Sequence, residues 1–419
     1  MPPLNSKPDK DIKKHLSRYT IVAGAFNSSD FRLVWISLVF GSLAMWIEMV
    51  AIAWLVLELT NSSFMVGLAS AARLAPFFFI GIPIGAVVDR VDRHIFLRFI
   101  NVGSALIGLI ITLLVLLNIV EVWHLMALSF LSGAGRAANL TTRSSYVYDL
   151  VGPNLALNGL ALISFSQRLG GVLGGLIGGL LIATRGIGIT FVVMTVGYVV
   201  SAIILYLVRE VGKAAPKYRE SVIENLKGSI RSIKSNKTLG LLMLLTAFTE
   251  VFGFSHQVLL PVFARDVLDT GADGFGFLIA VRAGGGIIGT LFIASLGNFN
   301  NKGYLLLIAI GLFGLGLISF SYSQTLIIAF SLLALTNFAG GITGVLQQTL
   351  MQKSVSNEER GRAMGALTLS IGLAPIGHIE LGALGNLLGA PFALAINGII
   401  LGGIGLLALL KAPSIRNLK

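Results

Sequence analysis

The chain has 419 residues, 55% hydrophobic and only 12% charged, with a mean hydropathy of +0.86. So few charges cannot cover the surface of a water-soluble protein, which excludes a soluble globular domain and a disordered chain and indicates a polytopic membrane protein. Lysine and arginine outnumber the acids 31 to 19, an excess that marks either a nucleic-acid partner or loops held on one side of a membrane, and the absence of cysteine excludes disulfides and thiolate metal sites.

Residues 1–32 are polar and basic, with Lys7, Lys10, Lys13, Lys14 and Arg18. They read as a cytoplasmic tail and not as a cleavable signal, because the apolar run after them is too long for an h-region. Twelve apolar stretches then reach the ~20 residues a helix needs to cross a bilayer. They fall at 33–57, 64–88, 95–118, 122–140, 156–183, 187–208, 239–263, 274–297, 303–322, 325–349, 363–388 and 391–410. The runs are continuous and lack period-two alternation, so helices are expected and not barrel strands. The polar segment 209–238 divides them into six-helix bundles at 33–208 and 239–410, and 411–419 forms a second cytoplasmic tail. Within that basic linker, 217–235 reads as a surface amphipathic helix, with Tyr218, Val222, Ile223, Leu226, Ile230 and Ile233 on one side.

With the N-terminus in the cytoplasm, 25 of the 31 basic residues fall in cytoplasmic tails and loops, and only Arg185 and Arg265 lie outside. The excess is therefore a topology signal, and a nucleic-acid partner is not expected. A shift of 209 residues superposes Gly67 on Gly276 and Arg73 on Arg282, as expected of two duplicated halves with a site between them. The fold class expected is an all-α polytopic membrane protein of twelve helices in two pseudo-symmetric halves.

The loop after the second stretch reads Gly85-Ala-Val-Val-Asp89-Arg90-Val-Asp92-Arg93-His94. It resembles the major facilitator superfamily signature G-x-x-x-D-R-x-G-R-[RK], departing from it at Asp92 and His94. The resemblance implies that Gly85, Asp89, Arg90 and Arg93, with Arg360 and Arg362 as a second-half counterpart, latch the cytoplasmic face in the outward-open state. The fifth stretch carries Gly170-Gly-Val-Leu-Gly174-Gly175-Leu-Ile-Gly178-Gly179, similar to the superfamily's antiporter motif with Gly175 in place of proline. It implies that Gly170, Gly174, Gly178 and Gly179 lie where the halves meet; plain glycine-mediated packing is the alternative. The segments Arg73-Leu-Ala-Pro76, Leu259-Leu-Pro261 through Asp266, and Glu359-Arg360-Gly361-Arg362-Ala-Met-Gly365 are similar to the branch containing the enterobactin exporter and macrolide efflux proteins.

A charge near the bilayer centre costs about 2.5–3.5 kcal/mol, so Glu48, Arg73, Arg136, Arg168, Glu250, Arg282 and Glu380 each need a partner or a wet cavity. Glu48 lies about 15 residues into the first stretch, on a small apolar face. Glu250 shares a face with Thr246, Gly253, Phe254 and Gln257. Either acid exchanges protons with substrate, or pairs structurally with an intramembrane arginine. Arg136 either attracts an anionic substrate or pairs with a carboxylate. Asn337 and Gln257 add polar groups to the expected cavity. His378 and Glu380 point about 200° apart on a helix, so only one can face it. No P-loop, metal-ligand spacing or catalytic triad is present in the sequence.

The expected protein is no enzyme. It is a secondary transporter of a bacterial inner membrane, with both termini cytoplasmic. It works as a monomer, without metal or cofactor, and exchanges protons for a small amphipathic molecule of the drug, macrolide or siderophore class. An importer or facilitator on the same fold is the alternative, and a membrane-embedded enzyme or receptor a remote one.

Overall fold

The computed structural model describes residues 24–88, 90–210, 236–297, 299–356 and 360–418. Asp89, the expected surface helix at 217–235, and the side chains of Arg360 and Arg362 lie outside the described residues. Gly85 lies in the second helix.

The first half comprises α1 (Ser29–Thr60), α2 (Ser63–Val88), α3 (Arg93–Leu116), α4 and α5 (together Val122–Arg185) and α6 (Ile187–Tyr206). The second comprises α7 (Lys237–Val267), α8 (Gly271–Ser295), α9 (Lys302–Ser321), α10 (Leu326–Lys353), α11 (Arg360–Ile371 and Ala374–Leu388) and α12 (Ala390–Lys411). Ten described helices are long and apolar enough to cross a membrane. One of these is α4 and α5 merged, and α2 adds another, so the twelve expected spans are all present. Helix is the only way such runs can satisfy their backbone groups in hydrocarbon. No strand occurs among the described residues.

Local chemistry fixes the helix ends. Ser28 Oγ accepts from the backbone N–H of Phe31 to cap α1, which therefore begins inside the expected tail. Asp92, where the superfamily signature has glycine, caps α3: its Oδ1 accepts from the N–H of His94 at 2.8 Å and of Ile95 at 3.2 Å. The Arg98 guanidinium donates to the carbonyls of Leu205, Tyr206 and Val208, which the end of α6 leaves without helical partners.

Two segments depart from the sequence expectation. Residues 141–155, expected as a loop, are helical up to a kink at Gly152, whose φ of +71° suits only glycine, with Pro153 next to it. The polar run that resembles a loop bonds within its own helix, as Thr142 does to the Ala138 carbonyl and Ser144 to Leu140. The second departure is α7, which contains π-turns at Thr249–Gly253 and Phe263–Val267 around a 3₁₀ stretch at Phe254–Val258.

The halves meet along two seams, α5 on α8 and α2 on α11. A Cβ added at Gly179 would lie 2.5 Å from the Ala272 carbonyl oxygen and 2.6 Å from Gly276 Cα. At the other seam, one added at Gly67 would collide with the His378 carbonyl and sit 3.2 Å from Gly382 Cα. The repeat-related glycines Gly67 and Gly276 thus occupy corresponding seams. Only one of the two glycine ladders in α5 belongs there. Gly175 and Gly179 face α8 and Gly171 lies between Ala283 of α8 and the Trp46 ring of α1, whereas Gly170, Gly174 and Gly178 face Ser42, Trp46 and Val50 of α1 in the same half. Adjacent residues on a helix point about 100° apart, so neighbouring ladders meet different partners.

Hydrogen bonds also tie the two halves together at the end remote from the termini. There Ser62 Oγ donates to Asn386 Oδ1 at 3.0 Å, Ser63 Oγ to the Gly382 carbonyl at 2.9 Å, and Arg265 Nη1 to Asn61 Oδ1 at 2.9 Å. At the end carrying the termini, Arg93 has a partner in its own half. Its Nη1 donates to both carboxylate oxygens of Asp149 at 2.9 Å, within the first half, because the long α4 carries Asp149 back under α3. Arg90 is exposed. Asp149→Asn removes an anionic acceptor of a largely buried arginine and is expected to cost about 3 kcal/mol, read as a lower Tm in detergent, whereas Arg90→Gln should leave Tm unchanged.

Candidate transport site

A cavity of about 560 Å³ lies between the halves, a size ordinary for a drug-sized ligand. Its wall residues run from the middle of the helices, as at Trp46 of α1 and Asn337 of α10, toward the ends nearest the termini, as at Arg143 of α4 and Gln348 of α10. It therefore opens toward the end with the termini, while the seams close the other end.

The lining has one sign of charge. Arg136 and Arg143 of α4, Arg168 of α5 and Arg282 of α8 all contribute to it, and no aspartate or glutamate does among the described residues. No ion pair joins any of these arginines to an acid among the described residues. Glu48 and Glu250 act on Arg136 and Arg282 only from behind the wall, so four arginines against no lining carboxylate in a low-dielectric wall make a positive cavity. Apolar surface completes it: Trp46, held by a 3.3 Å bond from Nε1 to the Gln167 carbonyl, with Phe77 and Phe254. The Arg136 guanidinium lies 5.9 Å from the Phe77 ring centre.

Of the residues singled out from the sequence, Arg136, Arg168, Phe254, Arg282 and Asn337 stand on this wall. Asn337 Nδ2 donates to the Leu333 carbonyl at 3.0 Å and lies 3.4 Å from His256 Nε2. Gln257 and His378 do not reach the wall. They bond each other, Nε2 to Nε2 at 3.1 Å, in the α7–α11 contact beside the α2 seam. Glu380, one helical face away, accepts from Asn397 Nδ2 of α12.

Neither expected acid lies on the wall. Glu48 is 2% exposed and accepts a hydrogen bond from the Tyr198 hydroxyl of α6, while its Oε1 has no partner. Tyr198 does line the cavity, so the phenol stands between carboxylate and cavity. Glu250 sits in the first π-turn of α7. A π-turn adds a residue to the turn and rotates the rest of the helix beyond it, so the face drawn through Thr246, Glu250 and Gln257 on a regular helix does not exist. Thr246 is buried on the Leu242 carbonyl, and only Phe254 of that set reaches the cavity.

Two wall residues escape sequence reasoning. Arg143 falls in an expected cytoplasmic loop; its spacing of seven from Arg136, two helical turns, is the available signal. Tyr198 gives none, being one aromatic in an apolar helix.

Residues 22–417 match the family described as transmembrane secretion effector, within the major facilitator superfamily. The chain belongs to this family. The enterobactin exporter EntS of Shigella flexneri is 28% identical over 93% of each chain. The staphyloferrin A transporter of Staphylococcus aureus is 22% identical over 84% of this chain and 89% of that one. Among solved structures, a bacterial homologue of the human lysosomal transporter Spinster, inward-facing and unoccupied, shares the fold with a TM-score of 0.74. It is 18% identical over 93% of this chain and 98% of the other. The protein is a multi-pass membrane transporter and not an enzyme.

Proposed function

We propose that the protein exports a small amphipathic anion of the siderophore class across a bacterial inner membrane in exchange for protons, with its termini in the cytoplasm. The observation that carries this reading is the arginine-lined, acid-free cavity between the halves. It suits negatively charged ligands, and the functions named for two relatives, enterobactin export and staphyloferrin A transport, concern siderophores. The apolar rings of Trp46, Phe77 and Phe254 supply the complementary surface. Alternating access comes from rocking of the halves about the cavity, the seams near Gly179 and Gly382 parting as the end with the termini closes. Arg90, Arg93, Arg360 and Arg362 would bias that equilibrium from the cytoplasmic face. Glu48 is the proton carrier in this scheme, reached from the cavity through Tyr198.

The test uses inside-out vesicles from cells expressing the protein, with labelled enterobactin and staphyloferrin A as probes. Accumulation should depend on an acid lumen and collapse when a protonophore dissipates the gradient. Accumulation indifferent to the protonophore would remove proton coupling, and uptake confined to right-side-out vesicles would make the protein an importer.

A further inference from the structure

Arg143 is the most unusual group in the cavity. It is 3% exposed, and its Nε and Nη1 are sealed from solvent without a hydrogen-bond partner. A buried guanidinium with no acceptor is costly, and a fold retains one where an anion is to be held. Arg143 also has a fixed relation to Arg136. Both lie in the unbroken helical part of α4, with Asn139 and Leu140 between them on the same cavity wall. Residues seven apart are two turns apart, so the two guanidinium anchors stand ~10 Å apart along the helix axis. Arg136 is the deeper, near the middle of the span, and Arg143 is nearer the mouth.

Across the cavity, Arg282 of α8 also has a buried Nε without a partner. Asn139 and Leu140 lie on the strip between the two α4 arginines, and Trp46 and Phe254 line the same cavity. The wall thus offers two cationic stations separated by an apolar and amide-bearing stretch.

We infer that Arg136 and Arg143 form a two-rung ladder that selects molecules with two anionic groups, of carboxylate or ionised hydroxyl chemistry, held about two helical turns apart and joined by an apolar or amide-rich span. Arg136 receives the inner group, with Arg282 closing on it from the second half, and Arg143 receives the outer one. A molecule with one anionic group fills one rung and leaves the other guanidinium without an acceptor. That difference, and not total charge, is the basis of selection. The inference rests on reading this cavity as the substrate site; it does not depend on siderophores or on protons.

The experiment measures binding to the purified full-length protein in detergent, read by Trp fluorescence and by thermal shift. The probes are octanedioate, whose carboxylates can span the ladder, butanedioate, whose carboxylates cannot, and octanoate, with one carboxylate on the same carbon chain. Octanedioate should half-saturate at a concentration about tenfold below the other two, which corresponds to ~1.4 kcal/mol. Arg143→Gln should abolish the preference for octanedioate over octanoate, bringing the ratio of their half-saturating concentrations to about one, and Arg143→Lys should recover part of the difference. Arg136→Gln should weaken both probes. Equal responses to octanedioate and octanoate in the unmodified protein, including no response to either, overturn the ladder. So does an Arg143→Gln protein that elutes as a monodisperse peak and still prefers octanedioate. If enterobactin and staphyloferrin A are not accumulated by vesicles while the octanedioate preference holds, the substrate reading fails and the ladder stands.

Discussion

A Gly179→Val protein is expected to reach the membrane and to transport at less than about a tenth of the unmodified rate, a loss of at least ~1.4 kcal/mol in the seam's closing equilibrium. The reason is distance. An added Cβ would meet the Ala272 carbonyl oxygen at 2.5 Å and Gly276 Cα at 2.6 Å, and backbone atoms of a packed helix cannot step aside. α5 must then stand off from α8 at the end remote from the termini, and the conformation closed at that end is disfavoured. Because the chain has no cysteine, a single Ser62→Cys reporter at the companion seam gives a clean measure of that end. Its labelling by a membrane-impermeant maleimide should rise several-fold in the Gly179→Val background. Gly284→Ala is the control, since a Cβ there meets nothing within 4 Å and transport should be unaffected. Unmodified transport by Gly179→Val would sink the assignment of this seam to closure.

Glu48→Gln is expected to uncouple transport from the proton gradient. Glutamine keeps the size of the side chain and an acceptor oxygen for the Tyr198 hydroxyl, and loses only the ability to exchange a proton. Gradient-driven accumulation should fall at least about tenfold (~1.4 kcal/mol), while exchange of substrate at equal pH on both sides survives. Tyr198→Phe removes the hydroxyl between the carboxylate and the cavity and should share the phenotype in weaker form. Glu250→Gln should retain the gradient response, because among the described residues no hydrogen bond links that carboxylate to a cavity-lining side chain as the Tyr198 hydroxyl links Glu48. If Glu48→Gln keeps a full response, proton exchange does not pass through Glu48.

Each helical span was legible because crossing a bilayer is a local requirement, met by ~20 apolar residues in a row whatever they pack against. The run at 187–208 and the helix Ile187–Tyr206 differ by two residues at one end. The seam glycines were also legible, since small residues four apart signal close approach. Which ladder meets which helix was not: Gly174 and Gly175 are equivalent in the sequence, and only the position of α1 on one side and α8 on the other separates them. Arg143 was hidden by its neighbours. Thr141, Thr142, Ser144 and Ser145 lower the local hydropathy to that of a loop, yet they sit in a continuous helix that carries the arginine into the cavity.

Hydrophobicity and charge along the chain by themselves determined a twelve-span membrane protein, because insertion leaves marks readable residue by residue, and the resemblance of its loop and glycine motifs to one superfamily made it a transporter of two halves. The tertiary structure alone decided which charges share the cavity. Sidedness on a helix depends on its local period, and a single π-turn at Glu250 or an unbroken turn at Arg143 moves a charged group behind the wall or onto it.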